Sequence, residues 1–145
     1  MEAREVSGGV CAPLGFSAAG VSCGIKPGGG LDVCILNSDE RCSAAGTFTT
    51  NAFKAAPVRL TMEHLGKDGF LRTIVANSGN ANSWTGEQGM EDARAMAVLA
   101  ADVIGAHPWD VAVASTGAIG VYLPMHLVKK GIKDAASRLS GGGGE

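Results

Sequence analysis

Aromatic side chains are scarce: one Tyr, two Trp and four Phe among 145 residues, too few for a surface that stacks nucleobases. Charge is thin as well. Lys, Arg, Asp and Glu make up 18% of the chain and the net charge is −2. Without a Lys/Arg run, no polyanion-binding surface is expected. No stretch reaches the roughly 18 consecutive apolar residues of a membrane span. The opening MEAREVSGG lacks the apolar core of a secretion signal, which points to the cytoplasm. Cys11, Cys23, Cys34 and Cys42 form no C-x2-4-C pair, so no metal site is expected, and nothing supports a disulfide framework. The expectation is four reduced thiols packed in a core.

What is abundant is glycine, with 22 residues, and alanine, within a hydrophobic fraction of 46%. The glycines show no three-residue period, which excludes collagen and leaves tight turns and close backbone approach. A chain of this length and composition is one folded domain able to bury roughly two-thirds of its unfolded surface.

Apolar runs predict strands at 31–37 (LDVCILN), 70–78 (FLRTIVANS) and 110–115 (DVAVAS), and the Thr- and Phe-rich 44–51 (AAGTFTTN) is read as a fourth. Runs of this kind suit strands buried on both faces. Met96, Leu99, Ala100, Val103 and Ile104 recur at helical spacing. Thr85 and Gln88 offer a capping box, and Gly105 a stop. A second helix is predicted over about 124–139, with Pro124 in its first turn and Val128, Ile132, Ala135 and Leu139 on one face. Lys129, Lys130 and Lys133 then form a solvated side. These elements imply an α/β or α+β layered domain over 1–139. The tail SGGGGE (140–145) reads as a surface linker or a cleaved end.

Few stretches carry chemistry. His64, His107 and His126 show neither zinc spacing nor a G-x-S-x-G elbow, and the adjacent Glu91 and Asp92 belong to a helix's first turns. GFSAAGVSCGIKPGGGLD (15–32) lacks the P-loop pattern and reads as a loop or hairpin with Lys26 exposed. ANSGNANSWTGEQG (76–89) is either an elaborate turn or a set of Asn amides lining a polar site. In VAVASTGAIGVYLP (111–124) a strand runs into Thr116 and Gly117. Such a corner is either a plain turn or a pair of donors, the Gly117 N–H and the Thr116 hydroxyl, aimed at one oxygen as an oxyanion hole.

Four segments in order, APLGFSAAGVSCGIKP (12–27), AAGTFTTNAFKAAPV (44–58), VANSGNANSWTGEQG (75–89) and VASTGAIGVYLPM (113–125), resemble the N-terminal, or α, part of the ornithine acetyltransferases. These are also called bifunctional glutamate N-acetyltransferase/ornithine acetyltransferase. The resemblance implies an α/β layered sandwich of sheets and helices completed by a second, β, chain in an α2β2 assembly. It implies a precursor that cleaves itself before a threonine, which becomes the β chain's N-terminal nucleophile. That residue takes acetyl from N2-acetyl-L-ornithine and gives it to L-glutamate in arginine biosynthesis, with no cofactor. Acetyl-CoA is a donor for some members. The family's oxyanion hole falls on Thr116 and Gly117, and the NSGNAN turn becomes a support beside it. The family's α part continues through a Thr-rich stretch, a substrate-binding Lys and the cleavage site, none of which precedes Glu145. The chain is therefore expected to hold half a site and not to turn over alone. An extra cut in the glycine tract, a shortened chain or one chain divided in two would each account for this. Two other readings stand: the same fold acting on other N-acyl compounds of secondary metabolism, as acyltransferase or amidohydrolase, or a non-catalytic subunit.

Overall fold

The computed structural model describes residues 3 and 5–144. Its apolar runs form one sheet whose spatial order follows the chain: β1 (Phe16–Val21), β2 (Val33–Ser43), β3 (Phe70–Asn80) and β4 (Val111–Ala118). The first two pairings are antiparallel, and β3 and β4 run parallel, as two strands joined through a crossover helix must. The helices are α1 (Ala56–Asp68), α2 (Gly86–Ile104) and α3 (Met125–Ala136). The α/β class holds.

Strand alternation sorts the side chains. On one face Ala19, Val21, Val33, Ile35, Val75, Val111 and Val113 join Leu60 of α1, Met96, Ala97 and Ala100 of α2, and Val128 and Ile132 of α3 in one buried core. The opposite face has rows of apolar partners, Ala18–Leu36–Ile74–Ala112 and Gly20–Cys34–Ala76–Ala114; Ala18 and Ala112 are buried, and α1 reaches the β4 end of the first row through Pro57, Val58 and Thr61. Ile74 is 43% exposed there, and Cys34 and Ala114 are open to solvent. Burial on both faces is thus complete on one face and partial on the other. The exposed residues suit a second cover that the described residues do not provide.

Several expectations are corrected. Residues 44–51 are irregular: only Ala44 N–H continues the pairing, to Gly69 O at 2.8 Å, so β-branched composition alone finds no ladder there. β1 occupies part of the stretch read as a loop, and Lys26, in the turn after it, is half-buried with its ammonium on Leu31 O at 2.7 Å. α1 was not anticipated. The start of α2 has no capping box: Thr85 Oγ1 donates to Asn82 Oδ1 and Gln88 Nε2 to Asp92 Oδ1. The buried stripe of α2 runs through Ala93, Met96, Ala97, Ala100 and Ala101, leaving Val103 exposed, since alanines let neighbouring elements approach closely. Gly105 ends the helix in the left-handed region, φ 69°, as expected. All four cysteines are free, but only Cys11 and Cys23 are buried, and Cys34 faces outward on the bare side. The tail at Ser140 pairs with Ala18 of β1, and residue 145 of that glycine stretch lies outside the described residues.

β4 is one of the sheet's two edge strands, and α1 closes part of that edge. Thr61 Oγ1 donates to Val113 O at 2.8 Å and accepts from Val113 N–H at 2.9 Å. One turn on, the buried His64 places Nδ1 2.7 Å from Val111 O. Side chains thereby satisfy edge groups that would otherwise invite another strand.

Candidate functional site at the end of the parallel strands

β3 and β4 end together. Asn77 stands opposite Ser115, Ser78 opposite Thr116 and Gly79 opposite Gly117; then the register breaks, and Asn80 pairs with both Thr116 and Ala118. The carboxyl ends of parallel strands are where α/β sheets present ligand-binding groups. Thr116 and Gly117 are both exposed. By strand alternation the Thr116 side chain shares the bare face with Ser78. It borders a hollow of about 230 Å³ lined by Leu31, Cys34, Ala76 and Ser78 among others.

Gly117 sits at φ 130°, a region that L side chains rarely adopt. A Cβ there would fall onto the Gly79 carbonyl carbon and lie 2.5 Å from Asn80 N. Glycine is therefore required by the strand contact itself, before any ligand is considered.

The asparagine-rich stretch is not one turn: residues 76–80 are the end of β3, 81–85 are an irregular passage and 86–89 begin α2. The Nδ2 groups of its asparagines bond to backbone carbonyls instead of lining an open polar site. Asn77 Nδ2 donates to Asn80 O, Asn80 Nδ2 to Val121 O and Tyr122 O, and Asn82 Nδ2 to Gly89 O. This ties the end of β3 to the chain leaving β4 and to the start of α2. Beneath the corner, Asn77 Oδ1 and Ser115 Oγ are buried without a partner.

Asp32 was missed in the sequence. Its carboxylate accepts N–H groups of Cys23 at 2.7 Å, Gly24 at 3.0 Å, Ile25 at 2.8 Å and Lys26 at 3.3 Å. Burial acts to raise its pKa, but these N–H bonds outweigh it and hold the group down to about 2. The adjacent Cys23 thiol is pushed up to about 11, by burial first and then by the Asp32 carboxylate, so it stays protonated at neutral pH. Asp32 O also accepts from Ser78 N–H at 2.8 Å. Ile25, held by this carboxylate, would meet a Cβ on Gly79 at 2.8 Å. The loop and the corner are packed together. An acid following a glycine run was the only signal available, and it is weak.

His64 and His107 sit near the opposite, N-terminal end of β4: His64 lies on Val111 O, and His107 Nδ1 accepts from Trp109 N–H. His126 is exposed in the first turn of α3. No group of three or more His, Cys, Asp or Glu among the described residues could hold a metal ion. No helix among them is long and apolar enough to cross a membrane.

Comparisons with known proteins agree with one another. The ArgJ family pattern matches residues 17–143. The arginine biosynthesis bifunctional protein ArgJ of Symbiobacterium thermophilum is 54% identical over 141 residues, covering 96% of this chain and 35% of that protein. Its counterpart in Streptomyces coelicolor is 49% identical over 137 residues, covering 94% and 36%. Among solved structures, ornithine acetyltransferase complexed with ornithine from Mycobacterium tuberculosis superposes with a TM-score of 0.88 at 40% identity, over 94% of this chain and 73% of that one. ArgJ from Bacillus halodurans gives 0.87 at 34%, over 94% and 71%. The chain spans about 35% of the length of the curated relatives it matches. With a family pattern along nearly its whole length and two close structural neighbours, the chain belongs to the ArgJ family.

Proposed function

We propose that this chain is the α part of a cytoplasmic acetyltransferase of arginine biosynthesis. It moves acetyl from N2-acetyl-L-ornithine to L-glutamate, with acetyl-CoA as a further possible donor substrate and no cofactor. Thr116 and Gly117 supply the oxyanion hole. The nucleophile is the leading Thr of a β chain from the same precursor, in an α2β2 assembly. The observation that carries this reading is the exposed Thr116–Gly117 pair at the open end of β4, in a chain of this family. The bare apolar sheet face beside it supports a companion layer, because contiguous exposed apolar surface marks an interaction site.

In the first half-reaction the threonine Oγ attacks the acetyl carbonyl, and its proton passes to the same residue's α-amine. The carbonyl oxygen becomes an oxyanion, held by the Gly117 N–H and the Thr116 hydroxyl. The C–N bond then breaks, ornithine leaves with the proton on its amine, and an acetyl ester remains on the threonine. Glutamate's uncharged amine attacks that ester through a second oxyanion in the same hole. N-acetylglutamate departs, and the proton lost by the amine restores the threonine hydroxyl. Two preset donors favour the charge only where it develops.

The test is Thr116→Val in the assembled enzyme, which removes the hydroxyl and keeps the branched shape. Loss of one donor lowers kcat by about 10²–10³-fold, with KM nearly unchanged because the donor acts on the transition state. A wild-type kcat in that variant removes Thr116 from the mechanism.

A further inference from the structure

An oxyanion hole works only if its donors are held in place before charge appears. Thr116 and Gly117 are exposed, and so are Ala118, Ile119, Gly120, Val121 and Tyr122 after them. A segment so open to solvent needs an anchor. We propose that Asn80 is the positioning residue of the Thr116–Gly117 donor pair, an inference that rests on the function proposed above.

Asn80 is 4% exposed, and its groups converge on the corner from two directions. Its backbone straddles Gly117 by pairing with Thr116 on one side and Ala118 on the other. Bulges of this kind re-aim the groups next to them. Its side chain reaches past the corner: Nδ2 donates to Val121 O at 2.9 Å and to Tyr122 O at 3.0 Å. Oδ1 accepts from Asn82 N–H at 2.9 Å, and the Asn80 carbonyl accepts from Asn77 Nδ2 at 2.9 Å. One buried amide thus fixes the strand on which Gly117 rests and the chain that leaves it. The two partnerless atoms below, Asn77 Oδ1 and Ser115 Oγ, give the corner no substitute anchor.

Only asparagine meets these demands at this length. Aspartate keeps the acceptor for Asn82 but turns a carboxylate toward two carbonyl oxygens. Alanine leaves those carbonyls and the Asn82 N–H unanswered. The segment would still be attached, because Ala81 N–H bonds Ala118 O and Gly120 N–H bonds Ser83 O, each at 2.8 Å. The Asn80→Ala enzyme should therefore fold with a corner that is loose but present.

The experiment is a double-mutant cycle in the assembled enzyme, measuring kcat and KM for wild type, Asn80→Ala, Thr116→Val and the double variant. If Asn80 acts through the donor pair, Asn80→Ala lowers kcat about 10- to 100-fold, the effect of an ångström-scale misplacement, while KM moves less than about threefold. The double variant then loses clearly less than the product of the two single losses, because residues acting as a unit are not additive, although the Gly117 N–H still depends on Asn80 once the Thr116 hydroxyl is gone. An unchanged kcat in Asn80→Ala, a loss carried mainly in KM, or a double loss equal to the product of the single ones overturns the proposal. Should Asn80→Ala not be recovered folded, the isosteric Asn80→Asp takes its place with the same outcomes. If neither folds, Asn80 is a folding determinant and the positioning role is wrong. A normal Thr116→Val enzyme sinks the donor-pair reading itself, whereas an impaired Thr116→Val beside a normal Asn80→Ala sinks this inference alone.

Discussion

Asp32 carries much of the local order at the residue scale. Four N–H groups on one buried carboxylate form a charged anchor, and charge-assisted bonds are worth more than neutral ones. Its folded pKa of about 2 lies below the ordinary 3.8. The stability it contributes is therefore complete above about pH 4 and is lost as pH falls through about 2. Asp32→Asn should cost about 2 kcal/mol at neutral pH. It should also flatten the acid side of the stability curve, so that variant and wild type converge near the folded pKa. Denaturant melts at several pH values read this directly, and a variant with the wild-type acid slope would contradict it. Such a residue was hidden in the sequence because its partners are mainly backbone N–H groups, which a string of residue types does not reveal. Asn80 was obscured in the same way. Thr116 and Gly117 drew notice as a hydroxyl and a glycine closing an apolar strand, but that pattern equally suits a plain turn, and only the family resemblance implied a role for them.

At the scale of elements, legibility followed the strength of the apolar signal. The runs around 31–37, 70–78 and 110–115 became β2, β3 and β4. Ser17, Ala18, Ala19 and Gly20 of β1 carry too little hydrophobicity to announce a strand. α1 was masked because its buried stripe passes through His64 and its edge contact through Thr61, both polar, while Gly66 dilutes the pattern. Yet Pro57 near its start and Gly69 at its end were readable signals. The function of α1 explains its composition: its polar residues serve the backbone of β4. Thr61→Val, which preserves shape but strands the N–H and C=O of Val113, should cost about 1–3 kcal/mol. A shift in thermal or denaturant midpoint measures this, and an unchanged midpoint would mean that water replaces both bonds at no cost.

At the scale of the whole molecule, the governing fact is a sheet covered on one side. The strand sequences are apolar on both faces, and a reading from residues alone took that as burial on both. The coordinates bury one face against residues of all three helices and leave Leu36 and Ala76 half-buried and Cys34, Ile74 and Ala114 exposed on the other. Thr116, at the end of β4, lies on that same side of the sheet. A chain that spans about 35% of its relatives' length and presents apolar residues beside the exposed Thr116 and Gly117 fits the role proposed for it, one half of a shared site. The most direct measurement is the intact mass of the companion polypeptide after brief incubation of the assembled enzyme with N2-acetyl-L-ornithine in the absence of glutamate. The account predicts a single acetyl group on that polypeptide, mapped to its leading threonine and discharged when glutamate is added. A companion that remains unmodified while acetyl transfer proceeds would contradict it.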